Sequence, residues 1–335
     1  MKLVVTGAAG FIGMHTALRL LDAGHQVVGI DNLSDYYDVA LKRDRLRLLQ
    51  RHQGFRFALL DIAQTAALSR LVGNEKPDRL VHLAAQPGVR YSLHNPMAYV
   101  HSNLVGFVSV LEACRQHQVA HLIYASSSSV YGNNARVPFS ERDPADHPLS
   151  LYAASKRANE LIAHSYAHLY SMPVTGLRFF TVYGPWGRPD MAPIKFARAI
   201  CEGRRIELYN QGRHQRDFTY VTDVAQGVVT VAMHAGTVPE LSLPGGSNPA
   251  SSDAPFRIYN IGRGQPVALM DFLAALEAEL GIAALYEKIP AQPGDVLDTW
   301  ADCTDLERDF AYRPGTSLQQ GVASFVGWFR DYYRL

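Results

Sequence analysis

Six short runs, each nearly unbroken in apolar residues, punctuate the first 180 residues: KLVVTG (2–7), QVVGID (26–31), FRFALLD (55–61), RLVHLAA (79–85), HLIYASS (121–127) and PVTGLRFF (173–180). A strand wetted on one face alternates apolar and polar side chains. These runs do not, so both of their faces must be covered. Helix-length segments separate them, among them 11–23, 38–52, 97–117 and 151–171. Strand–helix repetition of this kind predicts a doubly wound parallel α/β sheet.

The regularity fails after Phe180. Loops become rich in Pro and Gly, a short strand is expected at 205–210, and a strand–helix pair returns at 217–235. Residues 237–255 have the Pro, Gly and Ser content of a surface loop. Helices near 269–280 and 317–333 close the chain. The expected division is a nucleotide-binding domain of 1–180 plus about 216–261, and a smaller C-terminal lobe of 181–215 and 262–335. A length of 335 residues suits one large domain or two unequal ones. A formal net charge of +1 gives no reason to expect nucleic acid or a membrane surface as partner. Cys114, Cys201 and Cys303 are far apart and form no CxxC pair, so free thiols in a reduced, cytoplasmic compartment are expected. The 13 histidines include no HExxH pattern, and no metal is expected. The chain opens directly on a strand without a leader-like segment, and no apolar run was expected to reach the ~20 residues of a membrane span.

TGAAGFIG follows the first strand and opens the first helix, with Gly7, Gly10 and Gly13 in GxxGxxG spacing. Glycines there permit a tight turn and a close approach of backbone N–H groups to a diphosphate at a helix N-terminus. The strand–turn–helix context makes this a dinucleotide signal and the sheet Rossmann-type. Asp31 ends the second strand, where a carboxylate accepts hydrogen bonds from the adenosine ribose hydroxyls and repels a 2′-phosphate. That favours NAD over NADP; the alternative is an Asp that only caps the next turn. Asp61 and Ile62 end the third strand where an adenine would sit, or simply form a solvated strand end.

In YAASK, Tyr152 and Lys156 stand four apart on one predicted helix and share a face. An ammonium near a phenol favours the phenolate, which would make Tyr152 a base near neutral pH. The pair occurs by chance in many helices. The context is ASSSSVYG (125–132): four serines at the carboxyl end of a central parallel strand make poor core and face the ligand crevice.

With these residues in view, the chain resembles the extended short-chain dehydrogenases/reductases, specifically the nucleotide-sugar epimerases. The likeness runs nearly the whole length, through the glycine turn, Asp31, LAAQ (83–86), SNLVG (102–106), SSSSVYG, YxxxK and RDFTYV (216–221). It implies Tyr152 as base, Ser127 as its catalytic partner and Lys156 as a further holder of the nicotinamide ribose. The cofactor set it implies is Gly7, Gly10, Phe11, Ile12, Gly13, Asp31, Asn32, Asp61, Ile62, Leu83, Ala84, Ala85, Asn103 and Lys156. It also implies that Arg216 and Asp295 contact the nucleotide diphosphate or its ribose, and that Tyr209 stacks on uracil from a short strand. A homodimer follows from the same resemblance, with helices 97–117 and 151–171 pairing across a two-fold axis.

Two departures narrow the reaction. Sugar 4,6-dehydratases carry Asp-Glu where this chain has Ser128 and Ser129, and UDP-glucuronate decarboxylases keep a glutamate where Ser129 stands. Without that carboxylate the acid–base group for chemistry at C5 is missing, and 4-epimerisation remains. UDP-galactose 4-epimerases place an asparagine where Thr181 stands. SDYYDVALKRDRL (34–46), AAQPGVRYS (84–92), VYGPWGRPDMA (182–192) and QPGDV (292–296) instead resemble UDP-glucuronate 4-epimerases. Arg188 is then expected to pair with the C6 carboxylate of a uronic acid, helped by Thr181 and by hydroxyls of Ser126–Ser128, with Arg90 as a second anion contact. The competing role for Arg188 is a phosphate or a solvent-side carboxylate. The competing readings of the chain are a UDP-glucose or UDP-N-acetylglucosamine 4-epimerase and a non-catalytic NAD-binding sensor.

Overall fold

The computed structural model describes residues 1–234, 248–290 and 298–335. Strands β1 (Lys2–Thr6), β2 (Gln26–Asp31), β3 (Phe55–Leu59), β4 (Arg79–His82), β5 (His121–Ser127) and β6 (Val174–Phe179) alternate with helices α1 (Phe11–Asp22), α2 (Val39–Leu49), α3 (Thr65–Glu75), α4 (Tyr91–His94), α5 (Pro96–Tyr99), α6 (Gly106–Gln116) and α7 (Leu151–Tyr170). There follow β7 (Thr181–Tyr183), α8 (Ala192–Cys201), β8 (Ile206–Leu208), β9 (Gln215–Arg216), β10 (Phe218–Tyr220), α9 (Val221–Met233) and β11 (Phe256–Ile261). The chain closes with β12 (Val267–Ala268), α10 (Leu269–Leu280), β13 (Tyr286–Lys288), β14 (Asp298–Thr299), α11 (Thr304–Phe310) and α12 (Leu318–Tyr333).

Seven strands form one parallel sheet in the order β11-β6-β5-β4-β1-β2-β3. The unbroken apolar runs have the cause inferred from the sequence. Leu3 and Val5 of β1 enter one core cluster with α1 and α9, while Val4 enters the opposite cluster with α3 and α6. In β5, Ile123 joins the first cluster and Leu122 and Tyr124 the second. The chain builds outward from β1 to β3 and then returns to β4 on the other side of β1. That reversal opens a crevice at the carboxyl ends of β1 and β4, the place where open α/β sheets bind ligands.

The segment read as one helix over 97–117 is α5, then a π-helical stretch Val100–Val105, then α6. Such widened turns cluster at functional sites, and this one carries Asn103. The continuous helical stretch Pro96–Gln116 is, by length and composition, apolar enough to cross a membrane, contrary to expectation; half of its apolar window is buried. Its apolar side covers the sheet through Phe107, Val110 and Leu111.

A third cluster stands apart from the sheet. Phe196, Ile200, Phe272, Leu276, Phe325 and Phe329 of α8, α10 and α12 pack with Phe218 and Leu208, and the rings of Phe218 and Phe272 stack at 4.2 Å. The short strands β7 and β10 pair in parallel and lead from the sheet edge toward this cluster. β7 sets Thr181, and β9, just before β10, sets Arg216, at its boundary with the crevice.

Below the crevice, α7 is fixed to the sheet by a buried carboxylate. Glu160 accepts from Arg178 Nε and Nη2 of β6, both at 2.8 Å, from Ser126 Oγ of β5 at 2.6 Å, and from Arg157 Nη1 at 3.0 Å. Glu160 and Arg178 are fully buried, and the Arg178 guanidinium lies 4.7 Å from the centre of the Tyr131 ring.

Candidate active site

The glycine turn works by close approach. Gly7 has φ +71°, and a Cβ there would lie 2.7 Å from the Ala84 nitrogen, so β1 and β4 could not part into a crevice this tightly with any side chain present. Gly10 caps α1 without any side-chain bond, and no acidic residue stands in the first turn of α1. The first N–H groups of that helix are therefore free of side-chain capping, as diphosphate binding requires. Gly7, Gly10, Phe11, Ile12 and Gly13 line a cleft of about 450 Å³ together with Asp31, Asn32, Asp61, Ile62, Leu83, Ala84, Ala85, Tyr152 and Lys156.

Asp31 is nearly buried. Its carboxylate accepts from Ala9 N at 3.1 Å and Leu33 N at 2.8 Å, which aims it across the turn. Burial pushes its pKa up, opposed by Lys42, these two N–H groups and Arg45. Asn32 donates to Asp61 at 3.0 Å, closing the adenine end. These residues suit an adenosine ribose and a diphosphate: one acceptor carboxylate at the strand end, and backbone donors at the helix start.

Ser150 caps α7 by accepting from Ala153 N, so the helix starts just before Tyr152. Lys156 Nζ donates to the Ala125 carbonyl at 2.9 Å, and burial lowers its pKa to about 8 against the opposing pull of Glu160. Burial raises the phenol's pKa, and the groups that pull it back are the Ser127 hydroxyl and the Arg188 guanidinium. Tyr152 also packs edge-on to the buried Tyr99 ring, at 6.1 Å.

Two further residues are engaged within the protein. Ser126 lines the first cleft, but strand alternation sends its hydroxyl to the opposite side from that of Ser127, onto Glu160. Asn103 was placed on the cofactor. It is buried, and its amide bridges Gln86 N (2.8 Å), Gln86 O (3.1 Å) and Ser155 Oγ (3.0 Å), so it ties the loop after β4 to α7 rather than facing the cleft.

A second cleft of about 1060 Å³ opens beside the first, lined by Arg90, Tyr209, Arg216, Phe218 and Thr299. Ser128, Ser129, Thr181 and Arg188 line both, and so mark their junction. Tyr209 lies just past β8, in the 3₁₀ turn 209–212, and not on the strand. The Arg90 guanidinium lies over its ring at 4.6 Å. Arg188 is already engaged: its Nε and Nη2 donate to Asp190 at 3.0 and 2.6 Å. Asp295 falls outside the described residues.

Several residues of the site were not read from the sequence. Arg45 is wholly buried and donates to Ala9 O (2.9 Å), Tyr37 Oη (2.7 Å) and Trp186 O (2.6 Å), joining the glycine turn to the 184–191 loop. Asp217 accepts from the N–H groups of Arg263 (2.7 Å), Gly264 (2.9 Å) and Ala301 (3.1 Å), holding three loops beneath Arg216. A charged residue inside a polar run gives no sign of burial, so only the RDF and KRDRL matches pointed near them.

A cleft suited to a dinucleotide, walled by a tyrosine, a lysine and a serine and opening onto a second cleft, defines a nucleotide-dependent oxidoreductase-type site. The chain belongs to the NAD dependent epimerase/dehydratase family, whose model matches residues 3–262. It is 48% identical to a probable UDP-glucuronate 4-epimerase of Rhizobium meliloti (strain 1021), over 100% of this chain and 98% of that protein. It is 44% identical to UDP-glucuronate 4-epimerase 2 of Arabidopsis thaliana, over 99% of this chain and 76% of that protein. Among solved structures it resembles UDP-glucuronic acid 4-epimerase from Bacillus cereus in complex with UDP-glucuronic acid and NAD, with a TM-score of 0.88 and 32% identity over 99% of this chain and 100% of the other.

Tyr152→Phe keeps the ring that packs on Tyr99 and removes only the phenol. Turnover is expected to fall by ~10²–10⁴-fold, the usual loss when a general acid–base is removed, with the thermal unfolding midpoint little changed. Initial rates on the folded variant check this, and near-normal turnover would remove Tyr152 from the chemistry.

Proposed function

We propose that this protein interconverts UDP-glucuronate and UDP-galacturonate by oxidation and re-reduction at C4 of the sugar. The observation that carries this reading is the junction of the two clefts. Tyr152 and Ser127 line the first cleft, and Arg188, which lines both, is close enough to act on the phenol electrostatically. The positions before VYG that would need a carboxylate for C5 chemistry hold Ser128 and Ser129 instead. The family and the named relatives support the same activity.

Tyr152 takes the proton of the 4-hydroxyl as phenolate, with Ser127 positioned by its own bond to Ser129 to hold the same oxygen. The chemistry that a nicotinamide supplies in such a site is reversible acceptance of the C4 hydride. The 4-keto sugar then turns its other face, and Tyr152 returns the proton once C4 is reduced. The second cleft, with Arg90, Tyr209 and Arg216, holds the uridine diphosphate so that the sugar can turn about it. A 4-keto uronate is a β-keto acid and loses CO₂ when its C5–C6 bond aligns with the carbonyl π system. Arg188, Thr181 and Ser128 hold the carboxylate out of that alignment; Ser126 is excluded by its bond to Glu160.

The bidentate Arg188–Asp190 pair favours one alternative, a neutral-sugar 4-epimerase in which Arg188 has no substrate anion to meet. Arg188→Ala separates the two. On the uronate reading, affinity for UDP-glucuronate falls by roughly one to two decades, the worth of ~1.5–3 kcal/mol for a hydrogen bond to a charged group, while UDP binding is nearly unchanged. Titration calorimetry with both ligands checks it; equal losses would move Arg188 to the phosphates.

The protein is further proposed to act as a homodimer. Leu161, Leu169 and Tyr170 of α7 and Met97 and Val105 of the 96–116 stretch are exposed apolar residues on the two helical segments expected to pair. An isologous four-helix contact would cover them. Sedimentation at micromolar concentration should give a dimer, and a strictly monomeric boundary would contradict it.

A further inference from the structure

Arg188 presents its guanidinium to Asp190 by one edge only. Nε and Nη2 form a side-on fork to the two carboxylate oxygens, at 3.0 Å to Oδ1 and 2.6 Å to Oδ2. A planar guanidinium has a second fork, end-on, made by Nη1 and the outer hydrogen of Nη2, and both forks can be engaged by carboxylates at once. Asp190 is itself held from behind: Tyr36 Oη donates to its Oδ2 at 3.1 Å. Tyr36 is seated firmly, because its ring lies 4.8 Å from that of Tyr91 and its hydroxyl sits where a Cβ on Gly88 would collide. Burial and Asp190 keep the Tyr36 phenol protonated, with a pKa near 12, so it remains a donor.

The chain Tyr36–Asp190–Arg188 therefore spans from the loop after β2, the strand that ends in Asp31, to the junction of the two clefts. An arginine with several rotatable bonds would otherwise sweep this space. Locked by one edge, it can offer only the other.

We infer that Asp190, anchored by Tyr36, is the positioning residue that makes Arg188 selective for a uronate: it fixes the guanidinium plane so that the end-on fork alone meets the sugar carboxylate. This rests on the uronate reading given above. The charge of Arg188 is balanced within the protein, and the incoming carboxylate is chosen by geometry more than by bare attraction.

The test is binding of UDP-glucuronate, UDP-glucose and UDP, by titration calorimetry, to the NAD-loaded wild type, Asp190→Asn, Tyr36→Phe, Arg188→Ala and the Asp190→Asn/Arg188→Ala double variant. Asp190→Asn should weaken UDP-glucuronate about tenfold and leave UDP-glucose and UDP within about twofold. Tyr36→Phe should move the same ligand in the same direction by a smaller factor, and serves if Asp190→Asn does not fold. In the Arg188→Ala background the Asp190 substitution should have no further effect on UDP-glucuronate, since a residue acting only through another is silent once that one is gone. Parallel weakening of all three ligands, or unchanged or tighter UDP-glucuronate binding, would overturn the inference. A full Asp190 effect in the absence of Arg188 would do the same. A wild type that binds UDP-glucose as well as UDP-glucuronate would overturn the uronate reading together with it, whereas a preference intact in both wild type and Asp190→Asn overturns the inference alone.

Discussion

The buried carboxylate of Glu160 is the contact on which the rest of the site depends. It gathers the guanidinium of Arg178 from β6, the hydroxyl of Ser126 from β5 and the guanidinium of Arg157 from its own helix. An ion taken out of water costs several kcal/mol, and only complete pairing offsets that. Here the carboxylate has four hydrogen bonds, and although burial opposes ionisation, Arg178 and the other donors hold its pKa below the usual range. The consequence is geometric. The helix that carries Tyr152 and Lys156 is held, at Glu160, to the strand end that carries Ser127. Lys156 Nζ reaches the Ala125 carbonyl from the same anchored face. Tyr152 and Lys156 on one element and Ser127 on another keep their spacing because a third group, Glu160, joins the two.

The same logic repeats around the crevice with different residues. Arg45 joins the glycine turn to the 184–191 loop, Asn103 joins the loop after β4 to α7, and Asp217 joins three loops under Arg216. In each case a polar side chain is spent inside the protein, and one of them, Asn103, had been expected on the cofactor. Asp31, Ser127, Tyr152 and Arg188 line the first cleft and present polar atoms beside the start of α1. Burial raises the Tyr152 pKa, and the groups that oppose it are the Ser127 hydroxyl and the Arg188 guanidinium, the latter from the 184–191 loop.

The main-sheet strands before Phe180 and the glycine turn were legible because their signals are local. Runs such as VVGI must be covered on both faces, and Gly7, Gly10 and Gly13 have no other ready use at a strand–helix turn. Helix α10 was read at its observed limits for the same reason, an apolar stripe ending at Gly281. Direction was less legible. Four serines in a row show that a strand end is polar, but not that Ser126 points to Glu160, thirty-four positions later in the chain. Long-range pairing was not legible at all. The π-helical stretch at Asn103 and the addition of β11 beside β6 depend on contacts made only after the chain has folded. A protein carboxylate was held open as a partner of Arg188, but Asp190, two residues away in GRPDM, was not named, because Arg and Asp at that spacing in a loop have no regular geometry to predict from.

The central claim is that the reaction occurs at C4 by hydride transfer within one closed site. UDP-glucuronate carrying deuterium at C4, turned over in ordinary water, tests it most directly. The account predicts that UDP-galacturonate retains the label at C4 and that the reverse experiment, unlabelled substrate in deuterated water, leaves C4 and C5 unlabelled. Loss of the C4 label to solvent, or solvent deuterium appearing at C5, would contradict it and place the acid–base step on a different carbon.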